Sequence, residues 1–237
     1  TRVSPVYQRN KMRTLTGIVC STVIGTALFA TTAKAYVLQD LIDNNLSFTV
    51  EDKVFSDWSY QTACGPSAAT IDITGMTWGP FLHGICIQGP LVAVGSVCDV
   101  GISYKVTTTK PVPPFGIKDI GMTFVLSASG NAGSILIGES VWESGFGMGK
   151  VAQSSVAIGD FADPPGELIQ GDVLEFEPLS AVYVTKDIFL SAADAGSMVG
   201  ATMIYQQFSQ VPEPAHTALA LLAVSALGGI VIRRRRG

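Results

Sequence analysis

The 237-residue chain carries 15 basic and 19 acidic side chains, and 47% of its residues are hydrophobic. Its formal net charge of −4 hides a partition: from Tyr36 to Val211 there are six lysines, no arginine and eighteen acidic residues, a balance of −12. Repulsion excludes that stretch as a binder of nucleic acid or anionic lipid, while about 175 residues suffice for one domain with a sizeable core.

Near its start the chain carries a basic cluster, Lys11-Met12-Arg13, then an apolar run from Leu15 to Ala30, then Thr31-Thr32-Ala33-Lys34-Ala35. Basic, apolar, then Ala-x-Ala is the layout of a secretory signal peptide, expected over residues 1–35 with cleavage after Ala35 and with Ala33 and Ala35 as the small residues of the site. Residues 1–11 read as an upstream extension, and Met12 is a candidate start. Cys20 follows Gly17-Ile18-Val19, a poor lipobox. The competing reading of this segment is an uncleaved signal anchor.

Residues 36–209 read as β-structure almost throughout. Leu46–Val50 alternates apolar with polar, and Val54–Tyr60 sets Phe55 against Trp58 across a kink or bulge. Further strands are expected at Ile71–Thr74, Phe81–Gln88, Ile102–Thr109, Ile117–Ser127, Gly133–Trp142, Val151–Ile158, Val173–Phe176, Ala181–Leu190 and Met198–Phe208. Gly89-Pro90 marks a hairpin, Lys110 to Pro114 breaks any ladder, and Ser191 to Gly196 is the one place for a helical turn. About ten strands without a helical pattern between them predict an all-β fold, an antiparallel β-sandwich of jelly-roll-like order.

Little in this domain suggests catalysis. Its single histidine, His83, lies in a strand-like stretch and reads as a packed or surface residue rather than a base. Gly138-Glu139-Ser140-Val141-Trp142 fails the nucleophile-elbow pattern at its last position. Gly145 to Gly149 has the glycines of a phosphate loop without its Lys-Ser/Thr ending, so a turn is expected. Glu139 and Glu143 share strand parity beside Trp142; they are the only pair worth weighing for glycoside hydrolysis, and two solvated acids are the expected outcome. Catalytic residues and a cofactor are therefore expected to be absent. Asp160, Asp163, Glu167 and Asp172 place oxygen ligands in a Pro/Gly loop, a candidate for structural calcium without an EF-hand pattern. With no Cys-x-x-Cys and one histidine, no other metal site is expected. Cys64, Cys86 and Cys98 remain after signal removal. A disulfide joining Cys86 and Cys98 across the expected hairpin is one arrangement, and Cys64 could pair with either.

The chain closes on Val211-Pro212-Glu213-Pro214, an uncharged run from Ala218 to Ile232, and Arg233, Arg234, Arg235 and Arg236. At 1.5 Å per residue a fifteen-residue helix reaches roughly 22 Å, short of the ~30 Å hydrocarbon core, and even residues 217–232 make a marginal span suited to temporary retention. The arginines orient such a transmembrane helix with its end in the cytoplasm. The three parts in this order resemble the PEP-CTERM sorting signal of Gram-negative bacteria, here residues 210–237. That resemblance implies recognition of Pro212, Glu213 and Pro214 by an exosortase, a membrane-embedded cysteine protease or transpeptidase. The body is similar to the β-rich exported domains that precede such tails, in Lys53–Tyr60, Ile102–Val106, Val184–Ile188 and Gln206–Gln210. The expectation is a non-enzymatic cell-surface or extracellular-matrix protein. Its precursor would be anchored in the inner membrane, and the mature form would lie at the outer cell surface or outside the cell. Signal peptidase, the exosortase, transiently the membrane, and exopolysaccharide are its expected partners. The alternatives are a carbohydrate-binding module, which would show Trp142 or Trp78 beside a groove, and a glycoside hydrolase.

Overall fold

A computed structural model of the chain describes residues 34–79, 82–110, 116–129, 133–158 and 170–210. The expected signal segment before Lys34, the Pro212-Glu213-Pro214 motif, the apolar tail and three of the four acids weighed for calcium lie outside these residues. None of the described helices is long and apolar enough to cross a membrane.

Among the described residues, twelve strands form two antiparallel six-stranded sheets that enclose one core. The first sheet contains β1 (Ala35–Val37), β4 (Asp72–Gly79), β5 (Leu82–Val94), β12 (Met198–Gln210), β7 (Ile117–Ser129) and β10 (Gln170–Leu179), in that spatial order. The second runs β2 (Phe48–Val50), β3 (Lys53–Thr62), β6 (Val97–Thr108), β11 (Ala181–Ala192), β8 (Gly133–Gly145) and β9 (Met148–Ile158). The expected all-β sandwich is therefore present, with one short strand, β1, that the alternation did not suggest.

Alternation drives the arrangement. In β11, Val182, Val184, Ile188 and Leu190 face inward, and in β6 so do Val100, Ile102, Tyr104 and Val106. They meet Ile85, Ile87, Phe124, Ile204 and Phe208 of the other sheet in one apolar cluster. Tyr36 stacks on Phe48 with ring centroids 4.6 Å apart, Phe48 reaches Phe55 and Trp58, and Trp58 lies 5.0 Å from Tyr104. The kink expected between Phe55 and Trp58 is a bulge between Ser56 and Ser59, with Asp57 at φ +54°. The extra residue turns two sequence positions that would alternate onto the same face, so both rings are buried.

Three local expectations change. Gly89-Pro90 is not a hairpin but part of β5, at a bulge where Gly89 and Pro90 oppose Thr202 between the Ala201 and Met203 pairings. The β4 ladder has ended by Gln88, so the missing Pro90 N–H costs no bond to that neighbour. The turn falls later, at Gly95, where φ is +54°. Helical structure lies at α1 (Leu38–Asp43) and in a 3-10 turn at Ala68–Thr70, whereas Asp194 to Gly196 forms a plain turn held by the Asp194 carboxylate on Ser197.

Candidate functional site

Three groups of residues are candidates for a site, set in or around the apolar core. The first lies inside it. Glu139 and Lys186 face each other directly on β8 and β11, both point inward, and both are 2% exposed. Their side chains form an ion pair, and Lys186 Nζ also donates to Met122 Sδ at 3.2 Å from the opposite sheet. Burial lowers the Lys186 ammonium from its ordinary value despite the neighbouring carboxylate. Glu139 is thus not the solvated acid expected from the sequence. Its parity with Glu143 is as read, but the shared side is the core, and only Glu143 reaches solvent at the strand end. The pair cannot flank a substrate.

The second group caps one end of the core. The Asp52 carboxylate accepts both from Lys53 Nζ, at 2.7 and 2.8 Å, and from Thr108 Oγ1 at 3.2 Å, while His83 Nε2 lies 3.9 Å from Asp52 Oδ1. All four residues are buried, and His83 is packed as expected. An open recess of about 610 Å³ adjoins them, lined also by Glu51, Thr77 and Thr109. No Ser or Cys nucleophile lines it among the described residues, so a His–Asp pair here assembles no triad. Nothing in the sequence flagged Asp52 and Lys53, whose role depends on distant strands.

The third group is the outer face of the β3-β6-β11-β8-β9 sheet, where the register stacks side chains in rows across the strands. One row reads Ser56, Lys105, Tyr183, Trp142 and Lys150. Lys105 Nζ lies 5.2 Å from the Tyr183 ring and Lys150 Nζ 4.9 Å from the Trp142 ring, while Phe146, from the β8–β9 turn, meets Tyr183 edge-on at 5.1 Å. The turn itself uses Gly145, Gly147 and Gly149 at positive φ, the conformation expected of a glycine-rich hairpin. The next row is hydroxyl-rich: Ser59, Ser103, Thr185, Ser140 and Gln153. Trp142 Nε1 donates to Thr185 Oγ1 at 3.2 Å, which fixes the indole against its neighbour.

The third row is Gln61, Gly101, Asp187, Gly138 and Ser155. Two glycines flanking Asp187 leave the sheet bare on both sides of it. Part of this trough is a depression of about 490 Å³ lined by Gln61, Thr62, Asp99, Gly101, Ser103 and Thr185 among others. Partial burial, then a hydrogen bond and negative charge from Asp99, push the Asp187 carboxyl above its ordinary value. Rows two residues apart along a strand are separated by roughly 7 Å, so the aromatic row lies roughly 14 Å from the trough. The face as a whole offers flat rings, then hydroxyls, then a carboxylate in a gap.

The remaining candidates are scattered. Trp78 belongs to the other sheet and packs edge-on against Tyr205, with ring centroids 6.4 Å apart. Asp172, the one calcium-loop acid within the described residues, accepts from the Val173 N–H at 2.8 Å. No group of three or more His, Cys, Asp or Glu side chains among the described residues is arranged to hold a metal ion. Ala35 pairs with Thr74 in β1, whereas Ala33 is outside the described residues. The expected hairpin that would join Cys86 to Cys98 is absent: β5 and β6 lie in different sheets and both thiols are free. Cys86 sits opposite Thr74 and Tyr205, and the thiol beside Cys98 is that of Cys64.

No family model and no curated protein matches the chain. Among solved structures it is similar to TmCBM61 in complex with β-1,4-galactotriose, at 10% identity over 63% of this chain and 86% of that one, with a TM-score of 0.32. A carbohydrate-binding module of Cellvibrio mixtus lichenase 5A in complex with cellotriose gives 10% identity over 64% and 91%, with a TM-score of 0.26. The enzymatically active domain of the bacteriophage CBA120 tailspike protein 4 gives 15% over 65% and 19%, with a TM-score of 0.28. Likenesses this remote add nothing to what the strands themselves show.

Proposed function

We propose that the domain is an exported glycan-binding module without catalytic activity, and that its outer β3-β6-β11-β8-β9 face is the binding surface. The observation that carries this reading is the cross-strand Trp142–Tyr183 pair, with Phe146 beside it, set next to a hydroxyl row and a glycine-flanked trough. A sugar ring presents an apolar C–H face and a rim of hydroxyls. Aromatic rings match the first, and Ser, Thr, Gln and Asp side chains match the second. The lysines above Tyr183 and Trp142 sit on flexible stems and swing aside at little cost, because each stays in water.

Binding without hydrolysis is supported by the acids present. Glu139 is committed to Lys186 inside the core. Asp99 and Asp187 line one depression, where partial burial and then the charge of Asp99 hold the Asp187 carboxyl above its ordinary value. The delivery part of the proposal rests on the sequence. Ala-x-Ala at the front, together with Val-Pro-Glu-Pro, an apolar run and four arginines at the back, supports export, temporary membrane retention and hand-over to an exosortase. A surface or matrix protein that holds exopolysaccharide fits both halves.

The test is affinity electrophoresis and pull-down of the purified protein with a panel of soluble and insoluble polysaccharides, acidic and neutral. Trp142→Ala and Tyr183→Ala should each weaken binding about tenfold, the equivalent of one stacking contact, and Lys118→Ala should leave it unchanged. No retention by any polysaccharide, or equal retention of all variants, overturns the reading. For delivery, mass spectrometry of the native envelope fraction should find a chain beginning at Tyr36 and lacking Arg233 to Arg236.

A further inference from the structure

Between β3 and the 3-10 turn the chain folds over one end of the sandwich, and it is fastened there to a single residue of β6. Thr62 Oγ1 donates to the Asp99 carbonyl at 3.2 Å, and the Ala63 N–H reaches the same oxygen at 3.4 Å. In return the Asp99 N–H donates to Cys64 Sγ at 3.3 Å. Asp99 follows Cys98 directly, so these main-chain contacts bring the Cys64 sulfur beside the Cys98 side chain, close enough for its charge to act on that thiol. The next residue is a glycine for a steric reason. A Cβ on Gly65 would lie 2.7 Å from Val100 Cγ2 and 3.4 Å from Cys98 Sγ, so the loop packs flush on this pair. Cys64 is exposed and Cys98 buried at the mouth of the core. Cys86, on the other sheet, is buried and has no thiol in comparable reach among the described residues.

We propose that Cys64 and Cys98 are a modification site, oxidised to a disulfide that clips the loop after β3 onto the start of β6, and that Cys86 remains a thiol. The oxidant is a disulfide-bearing molecule of the export compartment, either a thiol–disulfide oxidoreductase or oxidised glutathione. The exposed Cys64 thiolate attacks one sulfur of that disulfide, forms a mixed disulfide and expels the other half as a thiolate. Cys98 then loses its proton to water and attacks Cys64 Sγ, expelling the second half. One disulfide of the oxidant becomes two thiols as two protein thiols become one disulfide.

The order of attack follows from the environment. Burial first, then the hydrogen bond and charge of Cys64, push the Cys98 thiol up to about 12. Capping Cys64 as a mixed disulfide removes the charge contribution, so the first step prepares the second. Cys86, pushed up to about 11 by burial alone, is a poor nucleophile in an apolar setting. The clip also fixes Thr62 and Ala63, which line the depression beside Asp187, but it stands whether or not that face binds glycans.

The experiment oxidises the full chain, purified reduced, with oxidised glutathione at mildly alkaline pH. Remaining thiols are then capped with iodoacetamide under denaturing conditions, and peptides are mapped without reduction. The expected product is a Cys64–Cys98 cross-linked peptide, with Cys86 recovered capped and the chain lighter by two hydrogens. Cys86→Ala should leave the cross-link intact, and Cys64→Ala should return Cys98 as a capped thiol. Recovery of both Cys64 and Cys98 capped overturns the proposal, as does a cross-link that involves Cys86 or a second chain.

Discussion

Lys186 of β11 and Glu139 of β8 are register partners whose side chains meet inside the sandwich rather than on its surface. An ion pair there is costly to desolvate, and its worth shows only when one member is removed. Lys186→Met leaves a buried carboxylate without its cation and is expected to cost about 3–5 kcal/mol, and Glu139→Leu should cost a similar amount. The double variant replaces the pair by apolar volume and should return to the wild-type stability or exceed it. Urea unfolding of the four proteins checks this. Single variants within about 1 kcal/mol of wild type would mean that the pair is open to water.

Tyr104 offers a pH test of the same region. Its ring is fully buried, and its hydroxyl has no hydrogen-bond partner among the described residues. Burial first, then the Glu139 charge, holds the phenol well above its ordinary value of 10.0. Above pH 10.0 the unfolded chain releases this proton and the folded one keeps it, so stability falls as pH rises through that window. Tyr104→Phe should be neutral or stabilising at pH 7, since it removes an unsatisfied polar group, and should move the alkaline unfolding midpoint upward. Circular dichroism along an alkaline titration reads both.

Two strand glycines should respond oppositely to alanine. A Cβ on Gly84 would lie 1.8 Å from the Gln206 carbonyl oxygen, which belongs to the neighbouring backbone and cannot yield without parting β5 from β12. A Cβ on Gly138 would lie 3.7 Å from Asp187 Cβ, ordinary contact. Gly84→Ala should destabilise by several kcal/mol or abolish folding, whereas Gly138→Ala should be neutral or up to about 1 kcal/mol stabilising. Thermal unfolding separates the two.

Gly138 also separates folding from recognition. Gly138→Phe places a ring in the gap beside Asp187 on a solvent-facing position, where a strand accepts aromatic residues. Thermal stability should stay close to wild type while retention on polysaccharide gels falls with that of Trp142→Ala. Full retention would move the binding surface away from the trough.

The strands themselves were legible because alternation is local. Phe55 and Trp58 even revealed a bulge, since two large apolar residues three apart cannot share a face in a regular strand. Glu139 shows the limit. Alternation tells which residues share a side, not which side is buried, although Ile135, Ile137 and Val141 were its parity mates and pointed to the core. Lys186 carried the same signal among Val182, Val184 and Ile188. The row that joins Trp142 to Tyr183 had no local trace, because it depends on β8 pairing with β11 across some forty residues of chain. Pro90 misled because a proline suits an edge or a bulge as well as a turn, and only the end of the β4 ladder tells them apart.

β12 runs from Met198 to Gln210 between β5 and β7, antiparallel to both, and Val211-Pro212-Glu213-Pro214 follows it directly in the sequence. A pull on the chain beyond Gln210 therefore acts along a strand hydrogen-bonded on both flanks. The two ladders are loaded in shear, so many bonds must fail together, whereas a terminal edge strand would peel away bond by bond. A pull applied at Gln210 would therefore meet more resistance than the same pull on a terminal edge strand.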